Sequence, residues 1–231
     1  MNSSQIERLW LWFFPRRCVW CMSVTAPDFM LCPDCNEEIA PKRLKPTLLK
    51  NTQFKLVSVF TYHSRARRIL LGVKFHNGRK NVHSIGYAMA DALREAKLFR
   101  PGMLFCAVPM THKQIKTRKF NHSELLAKAA ANWLDANYVP LLCKTRETQT
   151  QHDLPAHERE KNVANAYEVT QPKLLKNRRI VLADDICTTG ATMHACACAL
   201  VQAGAKQVIC LSYLRTDLDK KHSHHAERKG E

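Results

Sequence analysis

The chain has 231 residues, of which 36 are Lys or Arg and 20 are Asp or Glu, so its formal net charge is +16. This length accommodates one large domain, or a medium domain with a small one, and a hydrophobic fraction of 45% supports a substantial core. The excess positive charge favours polyanionic partners, either nucleic acid or small phosphorylated ligands, and no apolar run reaches the roughly 20 residues that would span a membrane.

The first predicted element is the apolar run LWLWFFP at 9–15. It is too short for a membrane span, and no small-residue cleavage site follows it, so we interpret it as a short amphipathic helix that docks on the protein rather than as a signal peptide or a membrane-surface anchor. We therefore expect a cytoplasmic protein. In that reducing compartment the ten cysteines indicate a metal site rather than disulfides.

Four cysteines form two C-x2-C pairs, CVWC and CPDC, separated by ten residues. Two such pairs can surround one ion with four thiolates, at a zinc–sulfur distance of about 2.3 Å. Four protein ligands leave no open coordination position, so the predicted Zn²⁺ is structural and stabilises a segment too small to fold alone. An iron–sulfur cluster also accepts four cysteines and remains an alternative. The predicted ligands are Cys18, Cys21, Cys32 and Cys35.

The middle of the chain alternates predicted strands and helices. A proline- and lysine-containing stretch before residue 54 is predicted to be a linker, and the run KLVSVFTY that follows is predicted to be a strand. Next come a helix over SRARRILLGVKF, a helix at Val82–Lys97 and a strand at Met103–Val108. A further helix begins near Ser123, which is a suitable N-cap residue.

The second half continues the alternation. Strands are predicted at Tyr138–Cys143, at AYEV and at Arg179–Asp184, with a long polar loop before AYEV. A helix at Ala191–Ala203 ends at Gly204, and QVICLSYL is the last strand. This order predicts an α/β fold with a mostly parallel sheet. The predicted division is an N-terminal helix with the four-cysteine element at 1–45, a linker at 46–53, the α/β domain at 54–215 and a charged tail at 216–231.

Two adjacent acids, Asp184 and Asp185, follow the apolar run Ile180–Ala183 and precede TTGAT. In a parallel sheet the carboxyl end of a strand faces the ligand crevice, and the N-terminus of the next helix attracts phosphate. Two adjacent carboxylates can accept hydrogen bonds from vicinal hydroxyls, and their negative charge could also attract a nearby magnesium ion. The sequence therefore predicts a site for a phosphorylated, hydroxyl-bearing ligand.

The segment IVLADDICTTGAT resembles the phosphoribosyl-pyrophosphate (PRPP) motif of type I phosphoribosyltransferases. The resemblance implies that Asp184 and Asp185 bind the ribose 2′ and 3′ hydroxyls of PRPP, in the presence of Mg²⁺. It also implies that five residues surround the 5′-phosphate: Thr188, Thr189, Gly190, Ala191 and Thr192.

Further segments resemble the ComF/GntX branch of that superfamily. They are CAVPMTHKQIKTRKFNHSELLA, ARRILLGVKF, the region KTRETQTQHDLPAHEREKNVANAYEV and the four-cysteine element. The resemblance implies a type I phosphoribosyltransferase-like parallel sheet flanked by helices and preceded by a small zinc-ribbon element. The first segment departs from the branch's pattern where Thr111, Gln114, Lys119 and His122 replace His, Arg, Gly and Gln.

The same likeness assigns further roles. The pyrophosphate-binding turn would be Val108, Pro109, Met110 and Thr111. Arg118 and Arg159 would be catalytic residues that stabilise the negative charge on the leaving group. The implied function is a PRPP-binding, phosphoribosyltransferase-like protein linked to DNA uptake or to the use of external DNA as a nutrient, with single-stranded DNA and other DNA-uptake proteins as further partners. The alternative is a catalytically inactive PRPP sensor or a single-stranded-DNA-binding accessory factor.

Overall fold

The computed structural model describes residues 15, 17–18, 20–26, 31–39, 44–49, 52–62, 66–67, 70, 79–145 and 166–216. The helices in these ranges are α1 (Pro33–Ile39), α2 (Arg79–Glu95), α3 (His112–Arg118), α4 (His122–Trp133) and α5 (Ala191–Gln202). The strands are β1 (Thr47–Leu48), β2 (Lys55–Thr61), β3 (Leu104–Ala107), β4 (Asn137–Tyr138), β5 (Leu142–Lys144), β6 (Tyr167–Val169), β7 (Arg179–Cys187) and β8 (Gln207–Arg215). No helix among the described residues is long and apolar enough to cross a membrane.

Six strands form the main sheet in the order β1-β2-β8-β7-β3-β4. Strands β2, β8, β7, β3 and β4 run parallel to one another, and only the two-residue edge strand β1 is antiparallel. Strands β5 and β6 form a separate antiparallel pair. The prediction of an α/β fold with a mostly parallel sheet is confirmed.

The central strands are apolar on both faces because helices cover both faces. In β7, Ile180 to Ala183 are fully buried, as expected for a parallel strand that packs on two layers. Val181 and Ala183 lie in one core cluster with residues of α2 and α4, whereas Ile180 and Leu182 lie in a second cluster with residues of α5. The sheet is therefore the middle layer of three.

Close packing of α2 against α4 fixes the position of α4. A Cβ atom at Gly86 in α2 would collide with the Cβ atom of Ala129 in α4, so glycine is required for this approach. Leu126 and Ala130 of α4 are fully buried beneath the sheet. The amino end of α4 is thereby held beside the carboxyl ends of β3 and β7.

The described residues of the predicted linker at 46–53, which are 46–49 and 52–53, belong to the folded body. Thr47 and Leu48 pair with β2, and the Leu49 N–H donates to the Phe54 carbonyl at 2.8 Å. Leu49 is only 1% exposed. The edge strand β1 was not predicted because an element of two residues shows no periodicity in sequence.

Three predicted boundaries were wrong. The strand predicted at Tyr138–Cys143 is divided between β4 and β5, which lie in different sheets on either side of Pro140, a residue that cannot donate to a ladder. Strand β7 continues to Cys187 because β8 pairs with it that far. The N-cap of α4 is Asn121 rather than Ser123.

Several predictions fall outside the described residues. These are residues 9–14 of the predicted N-terminal helix, most of the helix predicted over SRARRILLGVKF, the polar loop around Arg159, and the tail from residue 217. They stay predictions.

Candidate functional site

The two adjacent aspartates lie where strands β3 and β7 diverge. The Val108 N–H donates to the Ala183 carbonyl at 2.9 Å, which is the last link between the two strands. Beyond that point β7 pairs with β8, and Asp184 lies opposite Ser212. The chain leaves β3 toward α4 on one face of the sheet and leaves β7 toward α5 on the other. This reversal creates a crevice at the carboxyl edge of the sheet, the usual ligand site of an open α/β fold.

Asp184 is held by two donors on one carboxylate oxygen. Its Oδ1 atom accepts a hydrogen bond from the Ser123 hydroxyl at 2.7 Å and another from the Asp185 N–H at 2.8 Å. Ser123 is 6% exposed, whereas both aspartates are half-buried. Ser123 was predicted to be a helix cap, and its contact with Asp184, which joins positions 61 residues apart, was not predicted.

The TTGAT segment turns from β7 into α5. Gly190 has a φ of +80°, and a Cβ atom there would lie 2.7 Å from the Leu49 Cδ1 atom. The backbone conformation therefore favours glycine, and any Cβ atom at this position would force the Leu49 side chain to move. The Thr216 hydroxyl donates to the Thr188 carbonyl at 2.9 Å and ties this loop to the end of β8. The loop presents the first turn of α5, whose N–H groups have no intrahelical acceptor and carry a partial positive charge.

The turn after β3 contains Val108, Pro109, Met110 and Thr111. Thr111 is the N-cap of α3, and it forms a capping box with Gln114. The Thr111 N–H donates to the Gln114 Oε1 atom at 3.0 Å, and the Gln114 N–H donates to the Thr111 hydroxyl at 3.2 Å. Two positions at which the chain departs from the branch's pattern thus form a local structure of their own.

Two further departures from the pattern are Lys119, directly after α3, and His122, the first residue of α4. Lys119, where the pattern has glycine, adopts a φ of +67°. The backbone therefore keeps a left-handed turn in spite of the lysine side chain. Arg118 is exposed in the last turn of α3 and forms no ion pair with any described residue, whereas Arg159 lies outside the described residues. The structure brings Asp184, Asp185, Val108 and the TTGAT loop to one edge.

Cys187 closes β7 beside the aspartates but is poorly suited to act as a nucleophile. Burial first, and then the negative charge of Asp184, raise the pKa of Cys187 to about 12, although Arg215 opposes the shift. Near neutral pH the side chain is an uncharged thiol, and thiols react as thiolates. The crevice therefore contains acceptors and backbone donors rather than an activated cysteine.

The four predicted cysteine ligands converge on one point. The sulfur atoms of Cys18, Cys21, Cys32 and Cys35 all lie within 4.8 Å of one another, and the Cys21 and Cys32 sulfur atoms are 3.6 Å apart. A tetrahedron with metal–sulfur bonds of about 2.3 Å places its sulfur atoms about 3.8 Å apart. The cluster therefore fits a metal ion bound by four cysteines.

The local environment of the cysteines differs from one to the next. Burial raises the pKa of Cys18. Partial burial acts in the same direction on Cys21, but hydrogen bonds with Ser23, Cys18 and Cys32 together outweigh it and lower the pKa of Cys21 to about 6. The first pair is shaped by a tight turn in which the Met22 N–H donates to the Cys18 carbonyl at 2.9 Å.

The cysteine element packs on the carboxyl edge of the sheet. The ring centroid of Trp20 lies 5.3 Å from that of Phe60 in β2, and Phe60 lies 5.7 Å from Tyr213 in β8. The Arg17 N–H also donates to the Ser84 hydroxyl of α2 at 3.2 Å. The element therefore shares a core with the α/β layers instead of forming an independent domain.

A second concave surface lies at the opposite, amino edge of the sheet. It has a volume of about 480 Å³ and carries three basic side chains, Lys173, Lys176 and Arg178. None of the three forms an ion pair with a described residue. We call this surface the basic groove. Its remaining lining residues are Leu104, Asn137, Tyr138, Val139 and Leu174.

Known proteins resemble the chain over most of its length. Residues 121–230 match the model of the phosphoribosyl transferase domain. "DNA utilization protein YhgH" from Escherichia coli K12 is 29% identical over 84% of this chain and 88% of its own length. "Competence protein F" from Haemophilus influenzae is 28% identical over 67% of this chain and 69% of its own length. "Competence protein ComFC" from Streptococcus pneumoniae is 26% identical over 81% of this chain and 89% of its own length.

Proposed function

Because the chain is a ComF-like member of the type I phosphoribosyltransferase superfamily, we propose that it binds PRPP with magnesium in the crevice between β3 and β7. The observation that carries this proposal is the pair Asp184 and Asp185 at the topological switch point, directly before a glycine turn and the amino end of α5. The carboxylates accept the two ribose hydroxyls. The turn at residues 188–192 receives the 5′-phosphate.

The pyrophosphate of PRPP extends toward the turn at residues 108–111. Carboxylate and phosphate oxygens are the ligands that Mg²⁺ prefers, and bound Mg²⁺ would neutralise charge on the leaving group. Departure of pyrophosphate leaves oxocarbenium character at C1 of the ribose, and a nucleophile then adds there. The protein contributes positioning and electrostatic stabilisation, with Arg118 and Arg159 as candidate cations for the leaving group.

Ligand-dependent melting tests this proposal. PRPP with Mg²⁺ at a hundred times its dissociation constant stabilises a folded protein by about 2.7 kcal/mol, which raises the melting temperature of a chain of this size by roughly 5–10 °C. Ribose 5-phosphate and pyrophosphate, each alone with Mg²⁺, serve as matched ligands that occupy one half of the site. The absence of any shift at millimolar PRPP would contradict the proposal. Release of pyrophosphate from PRPP then tests turnover separately.

We also propose that the metal held by the four cysteines is a structural Zn²⁺. The closed set of four sulfur ligands leaves no position for substrate, and the burial of Cys18, Cys32 and Cys35 suits a structural site. Reduced thiolates require a reducing compartment such as the cytoplasm. Elemental analysis of protein purified under reducing conditions should find one zinc per chain. Iron and sulfide in place of zinc would show that the cluster is an iron–sulfur centre.

A role in DNA uptake, or in the use of DNA as a nutrient, is proposed from the printed names of the relatives. The basic groove supports contact with single-stranded DNA, because three cations that have no carboxylate partner among the described residues line one concave surface beside Tyr138. The names favour this role over an inactive sensor or a DNA-binding accessory factor.

Salt dependence tests the DNA contact. The triple change K173A/K176A/R178A should weaken binding of a single-stranded oligonucleotide and reduce the slope of log affinity against log salt by about 2, because each phosphate contact contributes about 0.7. The matched control is R94A/K97A/R100A, which removes three exposed cations near the end of α2. Equal losses of DNA affinity in both triple variants would show that the DNA is held by the net positive charge of the protein and not by the basic groove.

A further inference from the structure

The Ser123 hydroxyl forms a long-range hydrogen bond that is unusual for a serine at the start of a helix. A serine there commonly caps the helix or hydrogen-bonds locally. Asn121 already caps α4, since its Oδ1 atom accepts the Ser123 N–H at 3.1 Å. The Ser123 hydroxyl is therefore available for a contact across the crevice, and it donates to Asp184 Oδ1 at 2.7 Å.

The contact constrains how Asp184 faces the crevice. A hydrogen bond from a neutral hydroxyl to a carboxylate is among the stronger kinds in proteins. Together with the Asp185 N–H on the same oxygen, it restricts rotation of the carboxylate about its last torsion. Ser123 itself is 6% exposed and belongs to α4, whose inner face is buried. The packing of the helix therefore keeps the Ser123 hydroxyl close to Asp184.

Asn121 connects the same helix end to the other side of the crevice. Its Nδ2 atom donates to the Val108 carbonyl at 2.9 Å, and the Val108 N–H donates to the Ala183 carbonyl, one residue before Asp184. The turn after β3, the amino end of α4 and the acids of β7 are thus joined by a continuous series of hydrogen bonds. Loss of one of these hydrogen bonds should change the orientation of the Asp184 carboxylate.

We propose that Ser123 is a positioning residue for Asp184, and that Asn121 anchors it to the turn at Val108. This inference rests on the proposed PRPP site. By holding one carboxylate oxygen, Ser123 fixes the orientation in which Asp184 meets a ribose hydroxyl, so that the ligand does not have to order the side chain on binding. Preorganisation of this kind raises affinity by lowering the conformational cost of binding.

The test is calorimetry with PRPP and Mg²⁺ on Ser123→Ala. We expect roughly a tenfold loss of affinity. Ser123→Thr keeps the hydroxyl and should recover most of it. The matched control is Ser84→Ala, which removes another buried helical serine whose hydroxyl accepts the Arg17 N–H. That control should bind PRPP as the wild type does. Wild-type affinity in Ser123→Ala, or an equal loss in both alanine variants, would overturn the inference.

A double-mutant cycle separates positioning from a general structural effect. In an Asp184→Ala background, Ser123 has no carboxylate to orient, so the additional change Ser123→Ala should leave PRPP affinity unchanged. A further tenfold loss in that background would show that Ser123 acts elsewhere. If the wild-type protein itself does not bind PRPP, the proposed function fails, whereas binding by the wild type with no effect of Ser123→Ala removes only the positioning role.

Discussion

The cysteine element and the crevice between β3 and β7 are organised over different distances along the chain. All four sulfur ligands come from 18 residues of sequence. A tight turn brings the first pair together, and the second pair lies at the start of α1. The crevice instead combines Leu49, Val108, Ser123 and Asp184, which the sheet and its helices bring together from four separate segments. A local pattern can therefore reveal the first site completely, whereas the second becomes complete only in the fold.

The difference should appear most clearly when a cysteine ligand is removed. Cys32→Ser should abolish stoichiometric metal binding, because three thiolates do not complete the tetrahedral site and metal binding supplies the folding energy of small elements of this kind. Elemental analysis should fall from one metal per chain to none. Hydrogen exchange should rise in residues 17–35, and PRPP affinity should stay near the wild-type value.

The Trp20–Phe60 contact gives this prediction a clear way to fail. If metal loss also disorders β2 and β8, exchange protection at Phe60 and Tyr213 will fall together with PRPP binding. That result would mean that the cysteine element is part of the crevice's support and that the two regions are not separable. Cys143→Ala is the control for removal of a cysteine outside the cluster.

The pKa of Cys187 beside the crevice is raised, whereas that of Cys21 in the cysteine element is lowered. Cys187 has a pKa near 9.0 when solvated and about 12 in the fold, because burial and the charge of Asp184 disfavour its thiolate. A raised folded-state pKa stabilises the protein fully below pH 9, and this contribution is lost as the pH rises toward 12. The loss amounts to about 4 kcal/mol at most.

Denaturant unfolding between pH 9.5 and 11.5 measures this contribution. Unfolding free energy should decrease with pH, and Cys187→Ala should make the slope shallower by about 1.4 kcal/mol per pH unit. Unchanged slope in Cys187→Ala would indicate that the thiol ionises freely in the fold. Cys143→Ala corrects for removal of a cysteine from the more exposed β5.

A glycine pair sharpens the contrast between local and distant requirements. Gly102 and Gly190 both have a φ of +80°, but a Cβ atom at Gly102 has no neighbour within 4 Å, whereas one at Gly190 meets Leu49. Gly102→Ala should cost about 1 kcal/mol of stability from backbone strain alone. Gly190→Ala should cost more, roughly 2–3 kcal/mol, and Leu49→Ala should remove part of the excess. Equal costs in chemical denaturation would show that Leu49 yields without penalty.

Sequence patterns predicted the features that depend on periodicity. The helix predicted at Val82–Lys97 is α2 at Arg79–Glu95, and the strand predicted at Met103–Val108 is β3 at Leu104–Ala107. Apolar alternation, caps and turn residues are encoded within a few positions, so these elements need no knowledge of the rest of the fold.

The features that were missed depend on partners elsewhere in the chain. Strand β7 extends beyond Asp184 only because β8 continues beside it, and β1 exists only because β2 provides an edge. Ser123 looked like a cap because serine commonly is one, yet Asn121 two residues earlier already fills that role. The segment FNHSELLA held a clue, since it offers two cap residues for one helix.

The central claim is that Asp184 and Asp185 bind the ribose of PRPP, and calorimetry on the double variant Asp184→Asn, Asp185→Asn tests it most directly. The substitutions keep the size of both side chains and remove their charge. Each hydrogen bond to a carboxylate contributes about 1.5–3 kcal/mol, so affinity for PRPP with Mg²⁺ should fall at least roughly a hundredfold while the melting temperature without ligand changes little. Equal PRPP binding by the variant and the wild type would contradict the assignment of the two aspartates.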